Sequence, residues 1–136
     1  MSDQPPETKY VALIGHDRKK EALVDFVRQH RDYFVTTPLV ATESTGARLN
    51  SELGLEIKLV THGPLGGDLV IGAMIVRSQI KAVFFFRDPL TAQPHEPDVS
   101  ALMRVCDVHR IPLATNVGTA DAIVAWLDKK SNPLTP

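Results

Sequence analysis

Gly63-Pro64-Leu65-Gly66-Gly67-Asp68 joins an apolar run at residues 55–61 to a segment at 69–77 with helical character. Its glycines admit backbone angles closed to other residues and leave peptide N–H groups bare to an approaching ligand. Asp68 then falls at the cap or in the first turn of the following helix. Alone, the run reads either as a turn closed by a capping carboxylate or as a ligand loop. The fold is decided by how often the same arrangement, a short apolar run ending in polar residues and then a helix, returns along the chain.

Working outward, residues 10–14 (Tyr-Val-Ala-Leu-Ile) form an apolar run too short for a helix and predict a strand covered on both faces, ended by Gly15. Residues 19–31 place Ala22, Leu23, Phe26 and Val27 at helical spacing among charges, the pattern of an amphipathic helix lying on a sheet. A second strand is expected at 38–41, with Pro38 where a strand start tolerates proline. Residues 42–46 then turn into a helix over about 47–53, closed by Gly54. Strands at 55–60 and 80–86 follow, the latter rich in aromatics (Phe84, Phe85, Phe86) and so expected to be buried on both faces.

Residues 87–98 form a long irregular stretch with three prolines, of the kind that usually carries a function. Asp98 is expected to cap a helix over 99–109, before a fifth strand at 111–114 and a last helix over 120–129. Strands alternating with helices define an α/β fold: a single three-layer domain with a five-stranded, mainly parallel sheet flanked by helices. Domain boundaries read as a loose lead-in at 1–8, the domain at 9–130 and a tail at 131–136. Strand order is not readable from this pattern. In a parallel sheet all the polar junctions gather at the carboxyl ends of the strands, where helix N-termini face a ligand.

The 136 residues suffice for one domain with a true core. With 15 basic and 16 acidic residues the formal charge is -1, so no global field draws nucleic acid or an anionic membrane. The single cysteine, Cys106, excludes an intrachain disulfide and a thiolate metal cluster; its apolar and basic flanks suggest a core or interface thiol rather than a nucleophile. The opening residues lack the basic and apolar regions of a signal peptide, and no apolar run approaches the ~18 residues of a membrane span. A soluble, cytoplasmic protein is expected.

Thr42, Ser44 and Thr45, with the amides of the following helix start, make an anion cradle or an ordinary Ser/Thr cap. Glu43 between them opposes a phosphate unless it turns away. Neither a dinucleotide fingerprint nor a Walker loop is present. Lys20 is either a phosphate counter-charge or a solvated surface residue. His16, Asp17, Asp68, His95 and Asp98 form a mixed His/Asp set, but with no His-x-x-x-His or Cys pair a metal is not expected. Acid–base work on a small phosphorylated substrate suits them better, a carboxylate taking a carbon-bound proton while an imidazole handles the developing oxyanion.

Over residues 9–128 the chain resembles the methylglyoxal synthase family. The matching stretches are Ala12-Leu13-Ile14-Gly15-His16-Asp17 with Lys20, Thr42 through Gly46, Gly63 through Asp68, Asp88-Pro89-Leu90, Pro94-His95-Glu96-Pro97-Asp98, and Ala114-Thr115-Asn116. The resemblance implies conversion of dihydroxyacetone phosphate to methylglyoxal and inorganic phosphate, with no cofactor and no metal, by a homohexamer often inhibited by phosphate. It implies Asp68 as catalytic base and His95 as the group that moves protons between the enediol oxygens. His16, Lys20, Thr42, Ser44, Thr45 and Gly63 would hold the phosphate and orient the triose, while Asp17, Gly66, Asp88 and Asp98 support them.

Three positions depart from the family pattern. Glu43 and Ser44 stand where glycine and threonine are usual, and His62 replaces a common serine, keeping its amide and adding a ring at the binding loop. The same fold also serves as a regulatory domain of carbamoyl-phosphate synthetase and occurs in a purine-biosynthetic cyclohydrolase. The alternative is therefore a non-catalytic domain that binds phosphate or a phosphorylated metabolite. Retention of both Asp68 and His95, which a pure binder has no need to keep together, favours the enzyme.

Overall fold

In the computed structural model, which describes residues 8–60, 66–90 and 96–131, five parallel strands form one sheet between two layers of helices. The strands are β1 (Tyr10–Gly15), β2 (Leu39–Thr42), β3 (Lys58–Val60), β4 (Ile80–Phe86) and β5 (Leu113–Ala114). The helices are α1 (Lys20–Gln29, after a 3-10 turn at Asp17–Lys19), α2 (Arg31–Phe34), α3 (Glu43–Leu53), α4 (Gly66–Val76), α5 (Glu96–Val108) and α6 (Val117–Ser131). The expected α/β class and parallel sheet are what the chain forms. Of the lead-in at 1–8 and the tail at 131–136, residues 1–7 and 132–136 lie outside the described residues.

Strand order is β3-β2-β1-β4-β5. From β1 the chain steps twice in one direction, then returns past β1 to place β4 and β5 on its other side. A crevice opens outside the carboxyl ends where such a reversal occurs, here between β1 and β4. These two strands pair along their length, with Gly15 opposite Phe86 at the carboxyl end.

Alternation along the strands divides the core into two. On one face Val11, Leu13, Ala41, Phe84 and Phe86 meet Leu23, Phe26 and Val27 of α1, Leu49 and Leu53 of α3, and Val124 and Leu127 of α6. On the other, Ala12, Ile14, Val40, Val83 and Phe85 meet Ile71, Met74 and Ile75 of α4 and Val99, Leu102 and Cys106 of α5. Both faces of β1 and β4 are covered, as continuous apolar runs require. Cys106 is fully buried, and desolvation pushes its thiol up to about 11, as for a core cysteine.

The structure corrects several boundaries. Helix α3 begins at Glu43 and not near residue 47, α4 at Gly66 and not 69, α5 at Glu96 and not 99, and α6 at Val117 and not 120. The shared cause is that the first amides of a helix have no intrahelical partner, so Gly, Pro, Ser and Thr cost little there. Asn116, expected in a loop, caps α6: its Oδ1 accepts the Thr119 N–H at 3.0 Å. Asp98 is the third residue of α5 and not its cap. Gly46 is a packing glycine inside α3 rather than a turn glycine, since a Cβ there would strike Leu59 Cδ2.

Strand β3 is confined to Lys58–Val60, shorter than the expected 55–60, and β5 to Leu113–Ala114 instead of 111–114. The first helix ends at Gln29; after a break at His30 the chain forms α2, which buries Tyr33 and Phe34.

Candidate active site

All the buried polar or charged side chains among the described residues, His16, Thr42, Thr45, Asp68 and Asp88, belong to the carboxyl end of the sheet. Burying such groups is costly unless they are hydrogen-bonded, so their collection at one end marks that end as the candidate site.

The site is built around the end of β1. Gly15 uses both of its peptide groups: its carbonyl accepts Lys20 Nζ at 2.8 Å, and its N–H donates to Thr45 Oγ1 at 3.3 Å. Lys20 Nζ also donates to Asp17 Oδ1 at 3.0 Å, and this bond with the adjacent ammonium charge holds the Asp17 carboxyl below its ordinary range. The Lys20 side chain is 13% exposed, so its charge is not that of a solvated surface lysine; it is tethered beside the strand end. Gly15 also has little room for a side chain, a Cβ there standing 3.3 Å from Leu23 Cδ2. Its role as a two-sided anchor is carried by the backbone, which leaves no mark in the sequence beyond the glycine itself.

His16 follows directly. Its backbone N–H donates to the Phe86 carbonyl at 3.1 Å, extending the β1–β4 pairing by one bond. Its ring stands edge-on to Phe85, centroids 5.2 Å apart, and its Nδ1 accepts the Asp88 peptide N–H at 2.9 Å. Asp88 Oδ1 in turn accepts the Leu90 N–H at 3.2 Å, closing an Asx turn around Pro89. Residues 72 positions apart are thereby joined at the reversal of strand order.

Thr42 ends β2 in an extended conformation, and Glu43 begins α3 at once, so Glu43, Ser44 and Thr45 form that helix's first turn. Thr42 and Thr45 are buried, Glu43 and Ser44 exposed. Asp68 occupies the first turn of α4, where the positive end of the helix favours a carboxylate. It is 6% exposed, and its Oδ2 is buried with no hydrogen-bond partner among the described residues. Buried carboxylate oxygens are seldom left so, and an explanation in function is called for.

Gly66 is the first residue of α4. His62, Gly63 and His95 lie outside the described residues. Among the described residues no group of three His, Cys, Asp or Glu side chains is placed to hold a metal ion, and no helix is long and apolar enough to cross a membrane. Helix N-termini, threonine hydroxyls, a tethered lysine and a buried aspartate together are equipped to hold an oxyanion and move a proton.

Comparison with known proteins identifies the family and agrees with the fold. A family model described as MGS-like domain matches residues 22–115. A methylglyoxal synthase of Thermus thermophilus is 54% identical over 121 residues, covering 89% of this chain and 96% of that protein. One from Borreliella afzelii is 52% identical over 120 residues, covering 88% and 94%. Among solved structures, the crystal structure of methylglyoxal synthase from Elizabethkingia anophelis matches with a TM-score of 0.80 at 46% identity, over 88% of this chain and 78% of that one. The chain belongs to the methylglyoxal synthase family.

Proposed function

We infer that the protein converts dihydroxyacetone phosphate to methylglyoxal and inorganic phosphate through an enediolate. Family membership supports the reaction. The observation that carries it to a site in this chain is Asp68: a buried carboxyl group in the first turn of a helix, one of whose oxygens has no hydrogen-bond partner among the described residues.

In this reading Asp68 takes a proton from the carbon bearing the hydroxyl, and the electron pair moves to the carbonyl oxygen, giving the enediolate. His95 moves protons between the two enediol oxygens. The C–O bond to phosphate then breaks as the enediolate electrons form a new C=C bond, releasing phosphate and the enol of methylglyoxal, which takes a proton at its terminal carbon. Elimination requires that C–O bond to stand perpendicular to the enediolate plane, so the site's main task is to hold one torsion and receive a leaving dianion. Lys20, His16, Thr42, Ser44, Thr45, His62 and Gly63 hold the phosphate and orient the triose. Asp17 is paired to Lys20, which keeps that charge in place; Gly66, Asp88 and Asp98 support the loops.

No cofactor or metal has a part in this scheme. Inorganic phosphate is both product and inhibitor, because the cradle that receives it also binds it from solution. The protein works in the cytoplasm as a homohexamer; exposed Val35, Val76, Val108 and Trp126 supply apolar surface for contacts between copies. Incubation with dihydroxyacetone phosphate and trapping of the dicarbonyl with a hydrazine reagent tests the activity. Stoichiometric methylglyoxal and phosphate are expected. A protein that binds phosphate and yields neither is the regulatory domain instead. Sedimentation at micromolar concentration tests the assembly, and monomer alone would refute the hexamer.

A further inference from the structure

At the carboxyl ends of β1 and β4 a backbone N–H meets a histidine ring, and the ring's chemical state follows from that contact. The Asp88 peptide N–H donates to His16 Nδ1 at 2.9 Å. A nitrogen that accepts a hydrogen bond carries no proton, so the neutral ring must carry its proton on Nε2. An imidazolium would set one N–H against another in a buried place, His16 being 6% and Asp88 7% exposed. The contact therefore selects both a tautomer and a charge state. We propose that the Asp88 peptide N–H fixes His16 as a neutral Nε2–H donor, and that Asp88 is a positioning residue whose carboxylate shapes the turn presenting this N–H.

The turn is well placed for that task. Asp88 Oδ1 accepts the Leu90 N–H, and Pro89 restricts the backbone angles of the residue before it, so the Asp88 backbone has little freedom. On the other side His16 is held by its own N–H on the Phe86 carbonyl and by the edge-on contact with Phe85. The charge for a phosphate dianion is supplied nearby by Lys20, bound to the Gly15 carbonyl and Asp17. His16 then adds a directed hydrogen bond without a second full charge, so phosphate can still leave at the end of turnover. The part of this inference that concerns phosphate rests on the proposed function; the tautomer does not.

Nitrogen-15 labelling of the histidine rings tests it. His16 signals, assigned by their loss in His16→Asn, are expected to show one neutral tautomer at neutral pH, with hydrogen on Nε2 and a bare Nδ1, both with and without inorganic phosphate. A proton on Nδ1, an averaged pair of tautomers or an imidazolium would overturn the proposal. Two substitutions separate the ends of the ring. Asparagine puts an oxygen close to the Nδ1 position, so His16→Asn should keep the Asp88 amide protected from hydrogen exchange while binding phosphate at least tenfold more weakly. Glutamine places its amide nitrogen near Nε2, so His16→Gln should expose the Asp88 amide and speed its exchange at least tenfold. Equal exchange in the two variants counts against the lock.

For the positioning role, Asp88→Asn keeps an oxygen for the Leu90 N–H and should preserve the His16 signature, whereas Asp88→Ala should let the second tautomer appear. An unaltered signature in Asp88→Ala would remove the carboxylate from the device. An inactive protein with an Nε2–H His16 would sink the proposed reaction alone, and an active one with an Nδ1–H His16 would sink this inference alone.

Discussion

The two ends of the sheet use similar polar residues for different ends. At the amino end, the Thr36 and Thr37 hydroxyls donate to the Tyr33 carbonyl at 3.1 and 2.7 Å, Asn50 Nδ2 donates to the Leu55 carbonyl at 2.9 Å, and Arg31 donates to the Leu53 carbonyl at 2.6 Å. Each of these bonds closes a helix end or fixes a connection to the next strand. At the carboxyl end the polar groups are more deeply buried, yet Asp68 retains an oxygen without a partner among the described residues. A 510 Å³ cavity lies at the amino end, between Phe34, Thr37, Gly54 and Leu55, where the nearby side-chain donors are already spent on carbonyls. Volume therefore does not identify the site. Among the described residues the amino end also buries a hydroxyl without a partner, that of Tyr33, so the contrast lies in charge: the buried histidine and carboxylate side chains His16, Asp68 and Asp88 all belong to the carboxyl end.

The largest effect expected at the carboxyl end is that of Asp68→Asn. An amide cannot take the proton, so turnover should fall by about three powers of ten or more, some 4 kcal/mol in barrier. Fold and phosphate affinity should stay close to those of the unaltered protein, because the oxygen lost has no hydrogen bond among the described residues. Turnover above about a tenth of the original rate would take Asp68 out of the base role and blur the distinction between the two ends.

How far this contrast could be read in the sequence differs by level. Strands were legible because runs such as residues 10–14 and 80–86 are too short and too apolar for anything but buried parallel strands. Helix starts were not, since every residue that propensity counts against a helix is tolerated in its first turn, which is how Gly66, Pro97 and Gly118 came to lie inside helices. That error touches the site: Ser44 and Thr45 sit on a helical first turn and not in a loop, whereas Asp68 stands in the first turn of its helix as expected. Asp68 and the threonines could be singled out by type and position. The Gly15 carbonyl on Lys20 and the Asp88 N–H on His16 could not, because backbone groups carry no letter of their own.

Thr45→Ala and Thr37→Ala set one threonine from each end against the other. Removing the Thr45 hydroxyl leaves the buried Gly15 N–H without its acceptor, a loss of about 1–3 kcal/mol in stability. It also removes a phosphate donor, so affinity for inorganic phosphate should drop about tenfold, roughly 1.4 kcal/mol. Thr37→Ala should cost about 1 kcal/mol through its lost bond to Tyr33 and leave phosphate affinity where it was. Chemical denaturation and phosphate titration of both variants give the comparison; equal changes in affinity would dissolve it.

Gly54→Ala is a pure stability change at the amino end. Gly54 closes α3 at φ 66°, and nothing lies within 4 Å of a Cβ built there, so the cost is backbone strain alone, about 1–2 kcal/mol. The denaturation midpoint should fall while kcat and KM at a temperature where the variant is folded stay as they were. A change in kcat would mean that the C-terminal end of α3 communicates with the site at its N-terminus.

The smallest effect is expected at Glu43, where the chain departs most from the family pattern. A carboxylate facing a bound phosphate would oppose it by about 4 kcal/mol per pair of unit charges at ~4 Å and an effective dielectric of ~20, enough to abolish useful binding. Glu43 is exposed on the first turn of α3, while its neighbours Thr42 and Thr45 are buried. In that position the charge is screened by water on one side and favoured by the positive end of the helix on the other. Glu43→Gln is therefore expected to alter phosphate affinity by less than about threefold, under roughly 0.7 kcal/mol. The sign of any residual change also has content: slight weakening follows if loss of the helix-start carboxylate loosens the first turn, slight tightening if long-range repulsion survives screening. Tightening by a hundredfold or more would place the carboxylate against the ligand, and a site that repels phosphate so strongly would be tuned for a less charged substrate than a triose phosphate.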